Sequence, residues 1–304
     1  MSGISYFFNN SPRYWPVLLA CLAWQNIQAE SLFAGSTTAL SLGMQSNQNN
    51  QTDDQLLNGF SNIDFVAANG LHLLFSANAL YDKQSSGNSS GYTLGIGNNP
   101  VAPINYSLLY DYWSNQSDIL SHKLIADIVL QNNHWSLSIN QEARTIFLRV
   151  AVNNAQLQNA LIALDVSSFI LNSVGTGLSL AYYSDQGWYA GTDFTVYTYS
   201  ADPSKLLNPS RIKQIISSTA RDLSYGLEKN YWQTYVGYSY KIFNLAYTYG
   251  ASLSAIDNSQ MISHDISFSS FFTDSFGSSV FYSQQISEPN IISRGLGLSI
   301  DYYW

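Results

Sequence analysis

His134 and Ser136 stand two residues apart in the stretch HWSLSI. On an extended strand, residues i and i+2 share a face, so an imidazole there could take the hydroxyl proton and create a nucleophile. A larger set of chemically active residues is acidic. Asp64, Asp82, Asp111, Asp127, Asp165, Asp193, Asp222, Glu228, Asp265 and Asp301 fall at the polar positions of alternating segments, where Lys123, Lys241 and Arg144 are the basic counterparts. Carboxylates gathered around an aqueous passage concentrate cations and repel anions. His72, His122 and His264 stand singly, and no His, Cys or carboxylate spacing matches a metal site. Neither a metal nor a cofactor is expected.

The elements that must position these residues are strands. Leu71, Leu73, Phe75, Ala77, Ala79 and Tyr81 alternate with His72, Ser76, Asn78 and Asp82. Phe243, Leu245, Tyr247, Tyr249, Ala251 and Leu253 alternate with Asn244, Thr248, Gly250, Ser252 and Ser254. Period two predicts strands near 33–43, 59–68, 71–82, 91–98, 104–113, 119–131, 134–152, 157–170, 175–185, 187–200, 217–228, 231–241, 243–255, 261–273, 276–286 and 291–304. The phase slips near Arg144: Trp135, Leu137 and Ile139 share one phase, and Ile146, Leu148 and Val150 the other. A bulge there keeps 134–152 as one strand.

The chain has 46% hydrophobic and only 11% charged residues, against about 25% charged in ordinary soluble domains. Beyond the N-terminal region no run of about 18 apolar residues offers a spanning helix. Low charge without such a run fits a membrane barrel, whose apolar and polar residues alternate and cancel on average. The net charge of −8 and the scattered lysines and arginines exclude a nucleic-acid surface.

Residues 1–29 read as a secretory signal peptide: Arg13 precedes the apolar run PVLLACLAW, and a cut after Ala29 follows. LLAC loosely resembles a lipobox, but Leu19 fits it poorly and the residues after Cys21 stay apolar, so Cys21 reads as part of the signal. Residues 30–304 then form a single domain without cysteine. Pro100, Pro103, Pro203, Pro209 and Pro289 all fall in proposed connections, as a fully paired sheet requires. Connections 45–58, 83–90 and 200–215 are long and polar, whereas Asn69-Gly70 and Asn132-Asn133 make tight turns. Trp113, Trp135, Trp188 and Trp232 lie near strand ends, where an interfacial aromatic girdle belongs. The expected fold is all-β: a transmembrane antiparallel up-and-down barrel of sixteen strands, with fourteen the alternative count in a range of 12–18. For sixteen strands the segment 200–215 falls awkwardly on the short-turn side.

The last residues, GLGLSIDYYW, place Leu296, Leu298, Ile300, Tyr302 and Trp304 on one face. This ending resembles the C-terminal signal of Gram-negative outer-membrane β-barrels, a porin-like class in which a terminal aromatic and alternating apolar residues are read by the barrel-assembly machinery. The class usually ends on Phe. The resemblance implies an outer-membrane location, export through the inner membrane, surrounding outer-membrane lipid and the assembly machinery as partner. His134 and Ser136 also resemble the His-x-Ser pair of outer-membrane phospholipases and lipid A deacylases. In those enzymes the pair faces lipid, whereas here Trp135, Leu137 and Ile139 take the lipid face, so no enzyme is expected.

The functional expectation is a weakly cation-selective channel for passive diffusion of small hydrophilic solutes. Asp64, Asp111, Asp127, Lys123, Asp165, Asp193, Asp265 and Asp301 are its candidate lining. Tyr183, Tyr189, Tyr197, Tyr199 and Tyr303 share the inner phase as wall-filling or solute-contacting rings. Two alternatives stand: the barrel component of a translocator for a polymer or surface lipoprotein with a periplasmic partner, and a loop-mediated adhesin or receptor.

Overall fold

A computed structural model describes residues 37–49, 55–82, 88–114, 119–149, 168–203, 227–255, 258–273, 275–288 and 291–304. Period-two segments there form β1 (Thr37–Asn49), β2 (Gln55–Val66), β3 (Leu71–Asp82), β4 (Ser89–Asn98) and β5 (Ile104–Ser114). They continue as β6 (Ile119–Gln131), β7 (Trp135–Arg149), β8 (Ser168–Tyr183), β9 (Trp188–Tyr199) and β10 (Glu228–Tyr240). The last are β11 (Phe243–Ser254), β12 (Gln260–Thr273), β13 (Phe276–Ser287) and β14 (Ile291–Tyr303). Each strand pairs antiparallel with its neighbours in sequence, and β1 pairs with β14 from Ala39↔Tyr303 to Asn49↔Ser293. The described strands therefore form a closed barrel with no free edge strand.

The described strands number fourteen, not sixteen. β7 pairs directly with β8 and β9 with β10, so the expected strands 157–170 and 217–228 do not enter the ladder as separate strands. The gap left between the expected strands 157–170 and 175–185 lies inside β8, which runs unbroken through Asn172 and Ser173. Asn172 accepts from Thr145 Oγ1 at 2.9 Å, and its main-chain N–H donates to Ser200 Oγ at 3.1 Å. Side-chain polarity here is absorbed by neighbouring strands rather than by a turn. The segments 150–167 and 204–226 lie outside the described residues, as do 1–36 with the expected signal peptide.

Two further expectations are corrected. β7 runs through Arg144 without a register shift against either neighbour, so there is no bulge. The change near Arg144 is one of residue type: Ile146 stays in the inner phase and is buried against Leu171 of β8, its register partner. The connection expected at 45–58 is also shorter, since β1 extends through Asn49 and β2 begins at Gln55. Gln45 and Asn47 face the interior, and Gln45 Nε2 donates to Ser283 Oγ at 3.1 Å.

The two ends of the barrel differ. Connections 67–70, 99–103, 132–134, 184–187, 241–242 and 274–275 are tight and lie at the end that carries Thr37 and Trp304. Asn132 Oδ1 accepts from the N–H groups of His134 and Trp135, both at 2.8 Å, and Gly70 takes a left-handed φ of 83° in the Asn-Gly turn. The connections at the other end include the long ones, 150–167 and 200–227. With fourteen strands 200–215 falls on this loop end, which removes the awkwardness of the higher count.

Alternation sorts the walls. Leu296 is 61% exposed and Leu298 51%, while Ser299 is 6% exposed, so the apolar phase faces outward and the polar phase inward. Leu73, Phe75, Leu94, Ile96, Ile128 and Phe268 continue this exposed apolar surface around the barrel. So much contiguous apolar surface on the outside, with polarity within, inverts the soluble pattern and fits a lipid surround.

Candidate pore lining

Cross-strand register gathers the interior polar residues into one continuous line. Following Cα partners from β14 to β9, it runs Asp301, Ser41, Asn62, Ser76, Thr93, Asp111, Lys123, Arg144, Ser173 and Tyr199. Every member is polar. Because the strands are staggered, the line begins near the turn end at Asp301 and reaches the loop end at Tyr199. Ser41 Oγ donates to Asp301 Oδ1 at 2.6 Å, Ser76 Oγ to Asn62 Oδ1 at 2.6 Å, and Lys123 Nζ lies 3.0 Å from Asp111 Oδ2.

The adjacent interior lines are partly apolar. One carries Leu74, Leu109 and Ile125, and the other Phe60, Trp113, Ile146 and Leu171. The polar line thus runs between two partly apolar ones. Around its middle is a cavity of about 290 Å³ lined by Asn78, Thr93, Asp111, Trp113, Lys123 and Arg144, among others.

Interior rings lie along the wall over glycines of the next strand. A Cβ at Gly43 would overlap Phe60, one at Gly297 Phe281, one at Gly237 Tyr189, one at Gly191 Tyr235, and one at Gly175 Tyr197. Each glycine supplies a seat for a ring on the neighbouring strand, so aromatic bulk is spent on the wall. At the loop end the wall is tighter: Glu228 is 2% exposed, and Tyr199 Oη donates to the Glu228 carbonyl at 2.6 Å. Tyr197 Oη donates to Glu142 Oε2 at 3.4 Å.

The sequence-predicted residues distribute as follows. Asp64, Asp111, Lys123, Asp127, Asp193, Asp265 and Asp301 all occupy the inner phase. Asp111 and Lys123 are brought together, while Asp127 accepts from Ser138. Asp193 sits between Ser179 and Gln233, and Asp265 between Thr248 and Ser283. Asp165 and Asp222 lie outside the described residues. Lys241 is not an inner-wall residue: it occupies the 241–242 turn, its ammonium 5.1 Å from the Tyr240 ring centre.

His72 is not single. Its Nε2 lies 2.7 Å from Asp64 Oδ1, within the hairpin turned by Asn69-Gly70. Folding that hairpin about its turn would have revealed the pair. Glu142 also faces inward, a residue the phase slip at Arg144 had hidden. Ser136 faces inward, but the His134 ring is turned to the Tyr183 carbonyl at 3.2 Å and Asp185 Oδ1 at 3.9 Å.

Trp113 departs from the girdle expectation. It shares the phase of Asp111, two residues earlier, and lines the interior cavity. Trp135, Trp188 and Trp232 face outward, as do Leu296, Leu298, Ile300, Tyr302 and Trp304. At the turn end Trp135 meets Tyr182 at 4.8 Å, Trp188 meets Tyr238 at 4.7 Å and Tyr302 meets Trp304 at 5.2 Å between ring centres. Toward the loop end Tyr92 stacks on Tyr112 at 4.9 Å, and Tyr110 Oη is 2.5 Å from His122 Nδ1. Trp232 Nε1 donates to Thr192 Oγ1 at 2.8 Å. Two outward aromatic belts therefore exist, with Trp113 outside both.

No protein-family model matches the sequence, and no curated protein is similar to it in sequence. Solved structures are similar in fold. CymD, a monoaromatic hydrocarbon channel, superposes with a TM-score of 0.51 at 8% identity, covering 88% of each chain. The KdgM porin in complex with disordered oligogalacturonate gives 0.42 at 8% identity, covering 86% of this chain and 98% of its own. OpdL from Pseudomonas aeruginosa gives 0.43 at 10% identity, covering 89% and 98%. The chain has the closed antiparallel barrel fold of the porin-like outer-membrane class.

Proposed function

We propose that this protein is an outer-membrane channel for passive diffusion of small hydrophilic solutes, weakly selective for cations. The observation that carries the reading is the charge of the inner wall. Asp64, Asp111, Asp127, Glu142, Asp193, Asp265 and Asp301 face inward, against Lys123 and Arg144 among the described strand positions. An acidic wall around water raises the local cation concentration, an effect screened at high salt. The rings seated on glycines support an open passage, and the fold shared with a solved channel supports the class.

In this reading the turn end faces the periplasm and the loop end the exterior. Residues 1–29 act as a removable export signal, and Leu296, Leu298, Ile300, Tyr302 and Trp304 are read by the assembly machinery.

The test is single-channel recording of the refolded mature chain under a salt gradient. Steady openings with a cation-directed reversal potential are expected, with weaker selectivity in Asp127→Asn and Asp193→Asn. An anion-directed potential would overturn the selectivity and keep the channel. A folded barrel with no conductance would reject the passive channel and turn attention to a plugged translocator or a loop-borne receptor.

A further inference from the structure

Arg294 interrupts the apolar outer wall. It continues the outward phase of Leu296, Leu298 and Ile300 toward the loop end of β14, and it is exposed. Its register partners are Gln48 on β1 and Gln284 on β13, and Gln284 in turn pairs with His264 on β12. Partners across antiparallel strands share a face, so these four side chains form one outward row. At about 4.8 Å per strand the row is roughly 14 Å long. On β12, β13 and β14 apolar side chains border it on each side: Leu296, Tyr282 and Ile266 toward the turn end, Ile292, Ile286 and Ile262 toward the loop end.

The row carries one fixed cation and no anion. The side chains of Arg294, Gln48 and Gln284 make no hydrogen bond or ion pair with another described residue. His264 Nδ1 meets Tyr247 Oη at 2.8 Å, which leaves the Nε2 edge for another partner. The outward phase of β1, β12, β13 and β14 contains no carboxylate. A guanidinium is always charged and presents a planar fork of N–H groups suited to phosphate.

Depth identifies the partner. Arg294 stands eight residues along β14 from Tyr302 and ten from Trp304, two rings of the turn-end belt. At about 3.3 Å per residue and a tilt near 40°, that is roughly 20–25 Å, close to the usual height of a barrel's apolar band. The row therefore sits at the far interface, where a guanidinium costs about 0–1 kcal/mol rather than the ~2–4 of the midplane, and where lipid headgroups carry the available anions.

We propose that Arg294, flanked by Gln48, Gln284 and His264, binds the phosphate of an anionic lipid headgroup in the leaflet at the loop end. The site rests on the membrane placement given under Proposed function but not on the channel activity.

The test uses the full, folded barrel in a zwitterionic detergent, stripped of lipid and checked by heat-modifiable mobility. Phosphorylated lipid A and its dephosphorylated counterpart are titrated and the bound fraction is read by native mass spectrometry. The parent should prefer the phosphorylated lipid, and Arg294→Gln should weaken that binding about tenfold, as loss of one charge-assisted contact implies. His264→Phe should weaken it less, and millimolar inorganic phosphate should not displace the lipid. Equal binding of the two lipids, or unchanged binding in both variants, would overturn the site. So would displacement by inorganic phosphate, or an oligomer that Arg294→Gln dissociates, since a second copy would then cover the row. Conductance is recorded on the same preparations, so failure of the channel reading shows separately.

Discussion

Tyr189 lies across Gly237, its register partner on β10, occupying the space a side chain there would need. Its hydroxyl donates to Asn244 Oδ1 at 2.9 Å, one strand further on. The ring thus bridges β9 to β11 along the wall and stays out of the lumen. Gly237→Ala must lift the ring or shift the strand. Overpacking of this kind costs about 1–3 kcal/mol. A lower denaturation midpoint is expected together with a smaller single-channel conductance, because the only free direction for the ring is inward. Gly297→Ala beneath Phe281 should do the same, and conductance unchanged in both would refute the seating argument.

The Lys123–Asp111 pair sets the local charge of the polar line. Both side chains are partly exposed, so the pair contributes about 0.2–1 kcal/mol to stability. Its larger effect is on ions. Lys123→Met should move the reversal potential toward cations, and Asp111→Asn should move it away. Both shifts should shrink as salt rises from about 0.1 M to 1 M, where screening shortens to roughly 3 Å.

The outward assignment can be tested by a charge at the middle of the wall. Leu298 is exposed and lies between Val280 of β13 and Met44 of β1. Leu298→Arg should cost about 2–4 kcal/mol in a bilayer, the usual penalty near the midplane. Unfolding in lipid vesicles measures it. A cost near zero would place this face away from lipid.

The inner wall has an apolar anchor at the loop end, where Leu171 and Ile146 are fully buried. Leu171→Ala should destabilise the barrel by about 2–5 kcal/mol. Leu178→Ala, on the exposed outer phase of the same strand, should cost less in detergent, since its neighbour there is solvent or lipid rather than packed protein. Denaturant titration of the two variants side by side distinguishes them.

Much of the barrel was legible because alternation is local. Leu296 to Trp304 betray their outward face within ten residues, and the turns at Asn69-Gly70 and Asn132-Asn133 carry their own chemistry. The inward phase of Asp64, Asp111, Asp127 and Asp193 followed in the same way. Trp113 lies near a strand end, where a girdle ring belongs, but it shares the phase of Asp111 two residues earlier, and phase decides which face a strand residue takes.

What the sequence by itself determined is the architecture's repeating unit: an antiparallel strand with one apolar and one polar face, closed by short turns. The strand count was beyond it, since 171–174 separates two apparent strands until Thr145 and Ser200 are placed beside Asn172. Only the tertiary structure aligned Asp301, Ser41, Asn62, Ser76, Thr93, Asp111, Lys123 and Arg144 into one track, seated Tyr189 on Gly237 and set Arg294 beside Gln284. Period two says which face a residue takes, but register and stagger decide which residues meet, and those depend on every strand pairing around the closed ring.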